Sequence, residues 1–222
     1  RPPRSTLFPY TTLFRSQKNK NSGKLIVFEG TDGAGKTTLI ELCREWLAAK
    51  YGNEKIICLK QPTDLSRKTK LFQKMMYSPN HQDIDYRAVQ LLTLSDRLQH
   101  DYEVIRPLLR DGKIVICDRY LYTSIANMFA RGYKKEKWFF EAAKQIVRPN
   151  IIFLITCPAE LAIRRIKNRA EECDRYLNEE LLKKVREEFL RLGRRYDFQF
   201  IDTDREPTAA FGDVKKILEV SL

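Results

Sequence analysis

Residues Gly30-Thr31-Asp32-Gly33-Ala34-Gly35-Lys36-Thr37 fit the spacing G-x-x-x-x-G-K-[ST]. Such a loop surrounds phosphate. Its glycines let backbone N–H groups turn inward onto a β-phosphate, and the helix that begins near Lys36 adds the positive end of its dipole. The Lys36 ammonium is placed to bridge β- and γ-phosphates, and the Thr37 hydroxyl, followed by Thr38, to ligate Mg²⁺. By average residue frequencies the pattern arises by chance in about 1% of chains of this length. ATP with Mg²⁺ is therefore the expected ligand pair.

A loop of this kind needs a buried strand before it and a helix after it. Leu25–Phe28 is apolar and β-branched, and Lys36–Lys50 follows as a helix. Further strands are predicted at Lys55–Leu59, Ile114–Cys117, Ile151–Thr156 and Phe198–Ile201. Helices are predicted at Leu65–Tyr77, Tyr86–Leu109, Leu121–Arg131, Lys135–Val147, from Pro158, at Asn178–Tyr196 and at Phe211–Val220. Strands alternating with helices imply an α/β fold of P-loop type, a five-stranded parallel sheet with helices on both faces. Ligands in such sheets bind at the carboxyl ends of the strands. Asp118 ends the third strand, where a carboxylate can order Mg²⁺ and its waters, and Arg119 follows it.

The chain has 222 residues and a net charge of +12, and 43% of it is hydrophobic, enough to bury the core of one domain. The charge lies along helical faces rather than in one block. No helix-turn-helix, zinc-finger or RNP-like segment accompanies it, so no nucleic-acid partner is expected. No apolar run reaches the length of a membrane span, and Leu7, Phe8, Leu13 and Phe14 are too interrupted to form a signal sequence. A cytoplasmic protein without membrane contact is expected. The five cysteines form no CxxC pair, and Cys58, Cys117 and Cys157 fall at the ends of strand-like runs, where they read as small core residues. Residues 6–16, TLFPYTTLFRS, match the translation of a common short-read sequencing adapter codon for codon. Residues 1–16 are accordingly read as a disordered artefact and 17–222 as the domain. Without Arg1, Arg4 and Arg15 the net charge falls from +12 to +9.

From Lys24 onward the sequence resembles the thymidylate kinase family. The resemblance rests on Phe28-Glu-Gly-Thr-Asp-Gly-Ala-Gly-Lys-Thr-Thr38, Ser95-Asp-Arg97-Leu-Gln-His100, Asp118-Arg119-Tyr120 followed by Ser124 and Ala126, and Cys157-Pro-Ala-Glu-Leu-Ala-Ile-Arg-Arg165, in the family's order. It implies ATP-dependent phosphorylation of dTMP to dTDP in a homodimer. It further implies that Asp32 faces the sugar 3′-hydroxyl, that Arg97 and Arg119 grip the acceptor phosphate, and that Lys60 and Ser124 belong to the acceptor site. A planar guanidinium fork suits a phosphate. Phosphoryl transfer also needs a cation on the transferred group. In the family an arginine comes from the loop or from the lid. The loop position here is Gly33, so the arginine-rich lid, with Arg164, Arg165, Lys167, Arg169 and Arg175, must supply it. Arg169 and Arg165 are the leading candidates, with Lys36 and Asp118 completing the catalytic set.

Three positions depart from the family pattern. Thr93 stands where an aromatic ring usually stacks on thymine, Asn127-Met128 replaces an aromatic or Gln-type pair, and Lys60-Gln61-Pro62 replaces Arg-Glu-Pro. Tyr120, Tyr122 and Phe129 are the candidates to restore the missing ring, since base stacking contributes about 1–3 kcal/mol. These departures keep two other readings in play: a related kinase acting on a different nucleotide or nucleoside, and a nucleotide-binding module without an acceptor.

Overall fold

A computed structural model describes residues 17–79, 83–168 and 176–222. The reading of residues 1–16 lies outside the described residues, as do Arg169, Cys173 and Arg175. Five parallel strands form the central sheet: β1 (Lys24–Glu29), β2 (Ile56–Lys60), β3 (Ile114–Asp118), β4 (Ile151–Thr156) and β5 (Gln199–Asp202), in the spatial order β2-β3-β1-β4-β5. The helices are α1 (Lys36–Tyr51), α2 (Asp64–Arg67), α3 (Lys70–Tyr77), α4 (Tyr86–His100), α5 (Arg106–Arg110), α6 (Leu121–Ala130), α7 (Lys137–Ala143), α8 (Ala159–Lys167), α9 (Glu179–Arg195) and α10 (Pro207–Ser221).

The central strand shows why the sheet is covered on both sides. Successive side chains of a strand point to opposite faces. Leu25 and Val27 enter one core, with Leu94 of α4, Ile125 of α6 and Phe189 of α9. Ile26 and Phe28 enter the other, with Leu39 and Cys43 of α1 and Val214 of α10. All four strand residues are fully buried. Register then places the charged strand ends together: Phe28 and Lys60 both lie opposite Asp118, and Glu29 lies opposite Leu154.

Several boundaries differ from expectation. The predicted helix Leu65–Tyr77 breaks in two, because the Thr69 hydroxyl accepts from Phe72 N at 3.2 Å and caps a new start. The predicted helix Tyr86–Leu109 runs on to Arg110 but widens to a π turn at Asp101–Ile105. Pro107 explains the turn, since its ring and missing N–H disrupt an ordinary α ladder. The Asp101 carboxylate secures it, accepting from Arg106 Nε at 2.6 Å and from Val147 N at 3.2 Å. The helix predicted to reach Val147 stops at Ala143, because Val147–Arg148 pairs in parallel with Gln17–Lys18 in a small second sheet. Cys117 and Cys157 are core residues as expected, whereas Cys58 is exposed because β2 is an edge strand. Among the described residues no helix is long and apolar enough to cross a membrane.

Candidate active site

The carboxyl ends of β1, β2 and β3 open onto a cleft of about 380 Å³. Thr31, Asp32, Gly33, Gly35, Lys36 and Thr37 form its floor. The loop is held in shape by close backbone approaches. Gly33 has φ +74°, and a Cβ there would lie 2.3 Å from the Ala162 carbonyl oxygen of α8. Only glycine fits that combination. Lys36 is buried, and its Nζ donates to the carbonyls of Gly30 at 3.0 Å and Thr31 at 2.7 Å. Burial and, next, the nearby Arg119 guanidinium bring its pKa down to about 8.

Arg119 sits in the left-handed region at φ 68°, a strained conformation for a residue with a side chain. That twist follows from its backbone N–H donating to Phe28 O at 2.9 Å, which turns the chain back over β1. The guanidinium then ion-pairs with Asp32 and donates to Gly30 O at 3.0 Å and to Thr123 Oγ1 at 3.3 Å. Burial works against its charge, but Asp32, Asp118 and Glu29 outweigh this and hold its pKa above the usual value.

Arg97, on α4, is 1% exposed. Its Nη1 donates to Thr93 O at 3.1 Å, while its buried Nε has no partner among the described residues. Burial lowers its pKa, against the pull of Glu29. Ser124 is buried on the cleft wall. Lys60 stands at the rim, its Nζ 3.9 Å from Asp118 Oδ2, and Asp118 Oδ1 is buried without a partner among the described residues.

The structure thus brings Asp32, Lys36, Thr37, Lys60, Arg97, Asp118, Arg119 and Ser124 to one cleft. Gly30, Ala34 and Thr38 complete the loop without lining it. Arg165 does not line it either. Its guanidinium braces the loop from α8, donating to Gly33 O at 3.4 Å and to Thr203 O at 2.9 Å.

Sequence reasoning passed over other members. Glu29 is fully buried between the loop and Arg119, accepting from Tyr120 N at 2.9 Å and from Thr123 N at 3.2 Å. Burial raises its pKa, and its hydrogen bonds to Thr123 and the charges of Arg119 and Arg97 oppose the rise. The available signal was a carboxylate ending an apolar strand one residue before the loop. Arg67 also lines the cleft, its Nε 2.6 Å from Pro62 O. Arg131 does so as well, lying 4.1 Å over the ring of Tyr86. Tyr120, Tyr122 and Phe129 do not supply the missing ring. Tyr120 points its hydroxyl into the core at Val147 O, Tyr122 packs on Tyr196 and Phe198, and Phe129 packs on Phe140. The rings that do line the cleft, among the described residues, are Phe72, Tyr77, Tyr86, Tyr176 and Phe189.

Asp96 ties this wall together. Its carboxylate accepts from Thr63 N at 2.8 Å, Thr63 Oγ1 at 2.9 Å and Ser66 N at 3.1 Å, fixing α2 to α4. Asp96→Ala strands those donors. It is expected to cost about 2–4 kcal/mol of stability, read as a lowered denaturant midpoint.

The thymidylate kinase family profile matches residues 28–213. A protein described as "Probable thymidylate kinase" from Pyrococcus horikoshii is 38% identical over 179 residues, 78% of this chain and 84% of that protein. The thymidylate kinase of Carboxydothermus hydrogenoformans is 34% identical over 204 residues, 89% of this chain and 97% of that protein. Among solved structures, thymidylate kinase from Ehrlichia chaffeensis shares the fold with a TM-score of 0.66 at 24% identity, covering 88% of this chain and 98% of that one. With a glycine-rich loop before α1, a cleft lined by four arginines among the described residues and a family match across most of its length, this chain belongs to the thymidylate kinase family.

Proposed function

We infer that this chain transfers the γ-phosphoryl group of ATP to dTMP, giving dTDP and ADP. The observation that carries this reading is the cleft itself. A phosphate loop lies on its floor, and Arg67, Arg97, Arg119 and Arg131 converge on its acceptor side. So many converging cations suit two polyanions brought end to end.

In this reading Lys36 leaves the carbonyls of Gly30 and Thr31 for the β- and γ-phosphates. Arg119 and Arg97 orient the acceptor, Asp32 takes the sugar hydroxyl, and Lys60 and Ser124 border the acceptor phosphate. The cation on the transferred phosphoryl group comes from the lid, with Arg169 as the main candidate and Arg165 supporting the loop. The orphaned Asp118 Oδ1 fits a Mg²⁺ site, as does the Thr37 hydroxyl on the cleft floor. A Mg²⁺ ion bound there would neutralise charge on the phosphates, keeping most of its ligands as water and phosphate oxygens.

Leu91 and Tyr102, 56% and 73% exposed along the α4 region, support a homodimer through that helix. The free Cys43, Cys58, Cys117 and Cys157 suit the reducing cytoplasm.

The test is ADP release measured with no acceptor and with dTMP, dUMP, dCMP and dGMP. dTMP is expected to give the highest kcat/KM. A higher value with another monophosphate overturns the acceptor assignment, and release independent of any acceptor overturns the kinase reading.

A further inference from the structure

Gln90 lies on α4, one helical turn before Thr93 and two before Arg97, on the same face. It lines the cleft and is only 3% exposed. Its Oε1 is buried with no partner among the described residues. A buried amide oxygen left without a donor costs about 1–3 kcal/mol, so an arrangement that keeps one at a cleft wall points to a donor arriving with the ligand. Tyr86, one helical turn before Gln90, lines the cleft beside it. Tyr86 is itself covered by Arg131 at 4.1 Å, and Arg131 Nη1 donates to Asn127 Oδ1 at 2.8 Å. Asn127 and Thr93, two of the departures from the family pattern, both border this arrangement.

A carbonyl oxygen repels phosphate, so Gln90 does not serve the anionic end of the acceptor. Asp32 provides the acceptor for a sugar hydroxyl at the loop. Gln90 instead shares the cleft wall with Tyr86, Val89 and Thr93 of the same helix. We propose that Gln90 reads the base: its Oε1, left without a donor among the described residues, accepts the ring imide N–H of thymine or uracil. Cytosine presents a lone pair at the same ring nitrogen and is rejected by acceptor facing acceptor. The proposal rests on dTMP being the acceptor.

The experiment compares dTMP, N3-methyl-dTMP and dCMP on the wild-type protein and on Gln90→Ala. Wild type is expected to lose about 10- to 100-fold in kcat/KM when the imide nitrogen is methylated. Gln90→Ala is expected to lose a similar factor on dTMP, mostly in KM, and its methylation penalty should shrink to within about threefold. The KM for ATP should not move. Should Gln90→Ala fail to fold, Gln90→Met carries the same comparison. Equal use of dTMP and N3-methyl-dTMP by the wild type overturns the proposal, as does a methylation penalty that persists without the amide. Turnover of dTMP indifferent to residue 90 overturns this proposal alone. A wild type that phosphorylates no dTMP removes the proposed function and this inference with it.

Discussion

Lys36→Met is expected to lower kcat by at least about 10³-fold while leaving the melting temperature at or above that of the wild type. Lys36 is a buried cation, and burial together with Arg119 pulls its pKa to about 8. Holding the ammonium in that site costs folding free energy, and two carbonyl contacts from Gly30 and Thr31 offset only part of it. A methionine fills similar volume without charge. Catalysis and stability should therefore move in opposite directions, as expected where a binding site has been built at the expense of the fold. The same pKa predicts a pH effect. In the free protein the proton leaves Lys36 as pH rises through about 8, so kcat/KM for ATP should fall there. Bound phosphates favour the ammonium, so kcat should hold to higher pH. Steady-state kinetics across pH, beside thermal melts of the variant, check both. Full turnover by Lys36→Met removes the lysine from the mechanism.

Arg119→Ala is expected to lower kcat/KM for dTMP by about 10³-fold and to destabilise the fold by about 3–5 kcal/mol. Asp32, Asp118 and Glu29 are the charges that keep Arg119 protonated, and without it they face one another across the cleft floor. Arg119→Lys separates the two consequences. It keeps the compensating charge, so stability should stay within about 1 kcal/mol of wild type. It loses the fork that reaches Asp32, Gly30 and Thr123 together, so kcat/KM should still fall by about 10- to 100-fold. Denaturant midpoints and acceptor kinetics on both variants decide it. An alanine variant that is unstable but catalytically normal would leave Arg119 as an ion pair alone.

The parts of the site legible in the sequence are those carried by contiguous residues. The apolar run of β1, the glycine spacing and the helix after Lys36 are local signals, and they locate the cleft floor. Asp118 and Arg119 were legible because a strand end in a parallel sheet is also a position in space. Arg67, Arg131, Phe72 and Tyr86 were not. They come from α2, α3, α4 and the residue that ends α6, whose meeting depends on tertiary contacts such as the Asp96 carboxylate on Thr63 and Ser66. The missing ring is not restored by sequence neighbours for a related reason. Tyr120, Tyr122 and Phe129 are close in sequence to the site, yet their side chains turn into the core, while Phe72 approaches from a helix more than forty residues away from Asp118. The π turn before Pro107 went unread because the helical pattern of apolar residues continues through it.

The contact between Gly33 and Ala162 bears on how this enzyme could change. A catalytic arginine at position 33 is the obvious alternative to one supplied by the lid. Here any side chain at that position would begin 2.3 Å from the Ala162 carbonyl oxygen. Mutational drift from one arrangement to the other cannot begin at the loop, because the first step is obstructed until α8 has shifted. Position 33 and the seating of α8 therefore behave as a single inherited unit. Laboratory evolution that randomises the loop alone should return glycine there, and arginine should appear only in libraries that also loosen α8.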